Sequence, residues 1–93
     1  MKTLILYSKP GCHLCEGLQN KLETMPIALE VRDITQNDLW FQKHQYEVPV
    51  LCIPIMNEAG QIVAEQPLPR PSPRASASRV AQMIQTHIGP FEA

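Results

Sequence analysis

The stretch "TLILYSKPGCHLC", Thr3 to Cys15, joins an apolar run to a C-x-x-C pair, Cys12 and Cys15. The β-formers of Thr3–Ser8 predict a buried strand, and "KPG" (Lys9–Gly11) ends it. From Cys12 to about Thr24, apolar residues fall at Cys15, Leu18, Leu22 and Met25, the spacing of one helix face, and Pro26 closes the run. The cysteines therefore stand where a strand hands over to a helix. In open α/β sheets that end of a parallel strand is where chemistry collects.

The rest of the chain extends the same pattern. Ile27–Ile34 sets Leu29 and Val31 inward against outward Glu30 and Arg32, which predicts a second strand. "TQNDLWFQKHQ" (Thr35–Gln45) opens on capping residues and carries Leu39, Trp40 and Lys43 at helical spacing, a short second helix. "VPVLCIPIM" (Val48–Met56) reads as a buried strand in which Pro54 requires a bulge or an early end. "NEAG" (Asn57–Gly60) is a hairpin turn and Gln61–Gln66 the returning strand. Prolines at 67, 69, 71 and 73 then predict an extended segment outside the sheet, either a stiff surface loop or a ligand for a peptide-docking partner. A final helix runs from about Ala75 to Ile88, with Val80, Met83, Ile84 and Ile88 on one face and Gly89-Pro90 as its stop. The order is β-α-β-α-β-β-α. It predicts an α/β fold in which helices cover a sheet of parallel and antiparallel strands, one domain over residues 1–93.

Composition narrows the function. A formal net charge of -1 over 93 residues argues against nucleic acid as a partner, because phosphate binding rests on clustered Lys and Arg. "TLILY" near the start is too short for a signal-peptide core or a membrane span, so the expected compartment is the cytoplasm and no membrane partner is expected. Thiols are kept reduced there, and three cysteines is an odd count for a disulfide framework. Exchange or metal binding suits the pair better than a structural staple.

Disulfide exchange gives this spacing a reason. The attacking species is a thiolate, and the first turn of a helix offers unpaired N–H groups and the positive end of the dipole. A cysteine there can have its pKa lowered from about 8.5 to roughly 3.5–7.5. Cys15 lies on the same side of the helix and shares its face with Leu18 and Leu22, so it should be the more buried sulfur. Cys12 is the expected nucleophile and Cys15 the resolving thiol. His13 either carries a proton that stabilises the thiolate or simply faces water. A structural zinc site would need further ligands from Cys52, His44 or His87, which occur singly. Cys52 reads as core filling, and the two histidines as surface residues of helices.

These residues resemble the thioredoxin superfamily, and within it a short glutaredoxin-like branch. "YSKPGCHLC" (Tyr7–Cys15) and "EVPVLCI" (Glu47–Ile53) carry the likeness, and the element order extends it over nearly the whole chain. The resemblance implies a thioredoxin-like, glutaredoxin-type α/β fold, a four-stranded mixed sheet flanked by three helices. It implies a cis Pro49 beside the cysteine pair, and a Val48 backbone that pairs with the substrate as an added strand. Lys9 matches a lysine that glutaredoxins set near the glutathione carboxylate. The implied activity is dithiol–disulfide oxidoreduction by a monomer with no bound cofactor or metal. Its substrate would be a protein disulfide or a glutathione mixed disulfide, with glutathione as a cosubstrate and a separate reductant. A metal or iron–sulfur carrier and a redox-sensing, partner-binding module are alternatives on the same fold.

The chain departs from the glutaredoxin pattern in two places. His13-Leu14 replaces the usual Pro-Tyr between the cysteines. The Gly-Gly followed by an acidic residue, which holds the far end of glutathione, does not occur in "AEQPLPRPS" (Ala64–Ser72). Arg70, Arg74 and Arg79 fall in this part of the chain, either to receive a carboxylate or as solvated charge.

Overall fold

A computed structural model describes residues 2–91. Strands β1 (Thr3–Ser8), β2 (Ala28–Asp33), β3 (Val50–Met56) and β4 (Ile62–Pro67) alternate with helices α1 (His13–Leu22), α2 (Asp38–His44) and α3 (Ala77–Ile88) in the expected order, with a 3-10 turn at Ile34–Gln36 before α2. The sheet runs β2-β1-β3-β4. β1 is parallel to β2 and antiparallel to β3, and β4 returns antiparallel to β3.

Alternation along β1 divides the core. Leu4 and Leu6 point to one face and pack with Leu18 and Leu22 of α1 and Val80 and Ile84 of α3. Ile5 and Tyr7 point to the other, against Ile34 and Cys52, with Trp40 of α2 beside them. Two helices thus cover one face and the short α2 flanks the other. No helix among the described residues is long and apolar enough to cross a membrane.

Helix ends follow local chemistry. Asn37 caps α2 through its side chain and Ser76 caps α3. α1 stops at Leu22, short of Thr24, because its last turn tightens: Thr24 and Met25 N–H groups bond back to Lys21 and Leu22, and Pro26 bars a further helical turn. α3 ends at Gly89, whose φ of 84° suits glycine, and a Cβ there would lie 3.2 Å from Lys2 Nζ. That ammonium donates to the Ile88 carbonyl at 2.6 Å, so a cation caps the negative end of the helix.

Several expectations change. Pro67 is not outside the sheet: it ends β4 opposite Cys52, as an edge strand allows. Leu68 then donates its N–H to Leu51 at 2.8 Å and buries its side chain, so the proline segment leaves from an anchored base. The irregularity expected at Pro54 is present: Pro54 stays within β3 and the register shifts just beyond it, between Ile55 and Met56. Val31 is exposed, because β2 is an edge strand with little above it. Leu39 is 74% exposed, whereas Trp40 and His44, one turn apart, form the inward side of α2.

Candidate functional site

β1 ends at Ser8 and the chain turns through Pro10 and Gly11, whose φ of 77° swings Cys12 to the start of α1. Cys12 is the N-cap of that helix, and its Sγ accepts the Cys15 N–H at 3.2 Å. Cys12 and Cys15 form a disulfide with a Cα–Cα separation of 5.2 Å, inside the usual range of about 4.4–6.8 Å. Cys15 is fully buried in the α1 face, and Cys12 is partly open to solvent. The same N–H that contacts Cys12 Sγ in the disulfide would stabilise a Cys12 thiolate, and the helix dipole acts in the same sense.

The Val48–Pro49 peptide is cis. The Glu47 and Val48 N–H groups both donate to the His44 carbonyl, at 2.9 and 3.2 Å, so the C-terminus of α2 holds this loop. Pro49 is buried and lines a cavity of about 120 Å³ with His13 and Leu14 of the cysteine turn, Leu18 and Lys21 of α1, and Arg70. Lys21 Nζ crosses to the proline segment and donates to the Pro73 carbonyl at 3.0 Å. His13 is 97% exposed with its Nδ1 3.8 Å from Glu16, a surface pair worth little. Lys9 lies elsewhere, in a shallow depression on the β2 side with Glu16, Gln19 and Asp33. The tertiary structure thus gathers His13 and Pro49 in one cavity, and Lys9 in another. It brings Arg70, one of the three arginines offered as a carboxylate receiver, to this cavity, and adds Leu14 and Lys21, which the sequence reading did not join to the site. The spacing of Leu14, Leu18 and Lys21 was a signal, since all three fall on one side of a helix.

The opposite face of the sheet holds an unexpected polar cluster. Arg32, expected to point outward, lies beneath Trp40 with its guanidinium carbon 5.1 Å from the ring centre. Its Nη1 donates to Tyr7 Oη at 2.8 Å and to Glu65 at 3.2 Å, and its Nε to Glu30. Tyr7 donates in turn to Glu65, and burial, then that carboxylate, pushes its pKa up to about 12. Cys52 fills the core as expected, and burial, then Glu65, pushes its thiol up to about 11, which keeps it protonated and unreactive.

His44 is not a surface residue. It is 4% exposed, its ring centre is 4.3 Å from that of Tyr7, and its buried Nδ1 has no hydrogen-bond partner. His87 does lie at the surface. Burial, then the Lys43 charge, lowers the His44 pKa below 6.5, against the weaker opposite pull of Glu47 and Glu65. The unfolded chain therefore takes up this proton first. Stability present above pH 6.5 is lost as pH falls through the lowered folded value. In His44→Phe, which keeps a ring against Tyr7, the melting temperature should lose part of its acid-side slope; an unchanged slope would assign the effect to another group.

Among the described residues, no three His, Cys, Asp or Glu side chains converge as a metal site. Cys52 and His44 belong to the α2 side of the sheet, and Cys15 to the α1 face.

Comparison with known proteins agrees with this geometry. No curated protein matches the chain by sequence. Among solved structures, the chain is similar to the Northeast Structural Genomics target protein XcR50 from X. campestris, at 22% identity and a TM-score of 0.55 over 89% of this chain and 96% of that one. It is also similar to the Trx4 domain of ERdj5, at 15% identity and a TM-score of 0.61 over 95% and 80% of the two chains. A malarial protein gives 14% identity and a TM-score of 0.58 over 92% and 96%. At such identities the likeness concerns the fold alone, which is thioredoxin-like: a four-stranded mixed sheet with three helices. Residues 3–85 match the family model described as Glutaredoxin-like domain (DUF836). With the match running over most of its length and a cysteine pair at the first helix of a thioredoxin-like fold, the chain belongs to the glutaredoxin-like domain family.

Proposed function

We propose that this protein is a dithiol–disulfide oxidoreductase, with Cys12 as nucleophile and Cys15 as resolving thiol. One observation carries the reading: Cys12 caps α1 with its sulfur on the Cys15 N–H, while the Cys15 sulfur is buried behind it. In the reduced protein, the Cys12 thiolate attacks one sulfur of a substrate disulfide and forms a mixed disulfide, releasing the other sulfur as a thiolate that takes up a proton. Cys15 then gives up its proton and attacks Cys12 Sγ. The Cys12–Cys15 bond forms and the second substrate thiol leaves, so two electrons have passed to the substrate. A separate thiol reductant restores the pair.

Pro49 and Val48 would dock the substrate strand. The Val48 N–H is already engaged by the His44 carbonyl, so its carbonyl oxygen is the group assigned to accept. His13, at the rim of the same cavity, adjusts the potential of the pair, and Lys9 offers a cation on the β2 side of α1. The reading suits a monomer in a thiol-reducing compartment such as the cytoplasm, acting without a bound cofactor.

A redox titration against glutathione buffers, read by mass spectrometry after alkylation, tests the proposal. The expected result is one two-electron transition, with Cys12 alkylated ahead of Cys15 and at a pH below the ordinary thiol value of about 8.5. A Cys12 that stays unreactive at neutral pH would overturn it.

A further inference from the structure

We infer that the groove between α1 and the proline segment selects disulfides carried on an extended, acid-bearing stretch of a partner protein, with Arg70 as the group that receives the carboxylate. This rests on the dithiol reading and specifies its substrate. Two cavities, of about 120 and 220 Å³, adjoin beside the cysteine turn and share Leu18, Pro49, Arg70 and Pro71. Arg70 therefore stands at their junction, over a floor that is mostly aliphatic and proline. The first cavity opens at His13 and Leu14, next to Cys12, and reaches Lys21, which bonds Pro73 across it. A chain attached to the sulfur at Cys12 would reach this groove past His13 and Leu14.

The charge of the chain segment that forms the groove's outer wall is one-sided. No acidic residue occurs between Gln66 and Phe91, while Arg70, Arg74 and Arg79 all do, and of the three Arg70 lines the groove. None of the ion pairs among the described residues involves these arginines. Prolines at 67, 69, 71 and 73 have no N–H, so the segment has few backbone donors for an anion and a guanidinium must serve. Glu47 lines the second cavity, which puts the favoured acidic residue on the α1 side of Arg70, toward Lys21.

Glutathione offers this arrangement less than a peptide does: it is too short to fill both adjoining cavities from Cys12, whereas an extended peptide can lay a side-chain carboxylate on Arg70 at their junction.

The test compares rates of one step in pre-reduced, desalted protein. Its probes are short peptides whose single cysteine is held as a mixed disulfide with thionitrobenzoate, identical except for flanking Asp or flanking Lys, and the glutathione–thionitrobenzoate adduct. Attack by Cys12 releases the yellow thiolate from each probe and leaves the peptide or glutathione on Cys12. The Asp peptide should react about fivefold faster than the Lys peptide, the size of a good exposed ion pair, with the ratio shrinking as salt rises. It should also outpace the glutathione adduct. Arg70→Gln should remove the preference between the peptides and Arg70→Glu should reverse it. Because the readout is a ratio within each variant, a general loss of folding or reactivity cancels. Equal rates for the two peptides, a preference that survives Arg70→Glu, or a glutathione adduct as fast as the Asp peptide would each overturn the inference. Release from every probe without charge preference leaves the dithiol reading standing, whereas no release from any probe removes both.

Discussion

Cys12→Ser should reduce disulfide turnover to the uncatalysed background, while Cys15→Ser should accumulate a mixed disulfide between Cys12 and its substrate. The asymmetry is set by where α1 puts the sulfurs. Cys12 caps the helix, is partly open, and receives an N–H that stabilises its thiolate; Cys15 has no exposure and cannot meet an incoming disulfide first. Serine keeps the N-cap role of Cys12, so the helix should persist and the loss should report the missing thiolate. In Cys15→Ser the first attack still occurs, but nothing displaces the bound thiol, and mass spectrometry of the unreduced protein should find the adduct. Cys52 should stay unmodified in both variants, because its thiol is buried and pushed up to about 11. Turnover retained in Cys12→Ser, or an adduct on Cys15, would reverse the assignment.

Ile84→Ala should lower unfolding free energy by about 2–5 kcal/mol. Ile84 has no exposure and sits among Leu4, Leu6, Leu22 and Leu51, where α3 closes over the sheet beside α1. Truncation removes its transfer energy and leaves a cavity that rigid strands cannot collapse into. A small domain has only about 5–15 kcal/mol in total, so this one change takes a large share. Each kcal/mol should lower the melting temperature by roughly 4–8 °C in a domain of this size. Urea and thermal unfolding, followed by circular dichroism with the cysteine pair held in one redox state, measure it. Leu39→Ala is the control: its side chain is 74% exposed on α2, and its effect should stay within about 0.5 kcal/mol. Equal losses for the two would mean that α3 does not seal the core as described.

The cysteine turn was legible because its signals are local. An apolar run, a Pro-Gly break and a helical repeat at Cys15, Leu18 and Leu22 are sufficient to place Cys12 at a strand-to-helix junction. The same local reading failed where the answer lay across the sheet. Arg32 alternates like an outward residue, yet Trp40 from α2, Tyr7 from the neighbouring β1 and Glu65 from β4 at the far edge enclose it. His44 looked like one more polar residue of a short helix, and only the docking of α2 on Tyr7 buries it. Pro67 read as a breaker, but its place at the sheet edge lets it end a strand without costing a ladder bond.

By itself, then, the sequence determined the element order and the place of the cysteine pair at a strand-to-helix junction, since periodicity and helix-end signals act over a few residues. Tertiary structure decided what stands around that pair. It set Lys9 on the β2 side of α1 and gathered Pro49, Lys21 and Arg70 on the other, residues far apart in the chain. The reason is geometric. A side chain's own element fixes the direction in which it points, but which element lies opposite depends on the sheet order and on how the helices pack upon it.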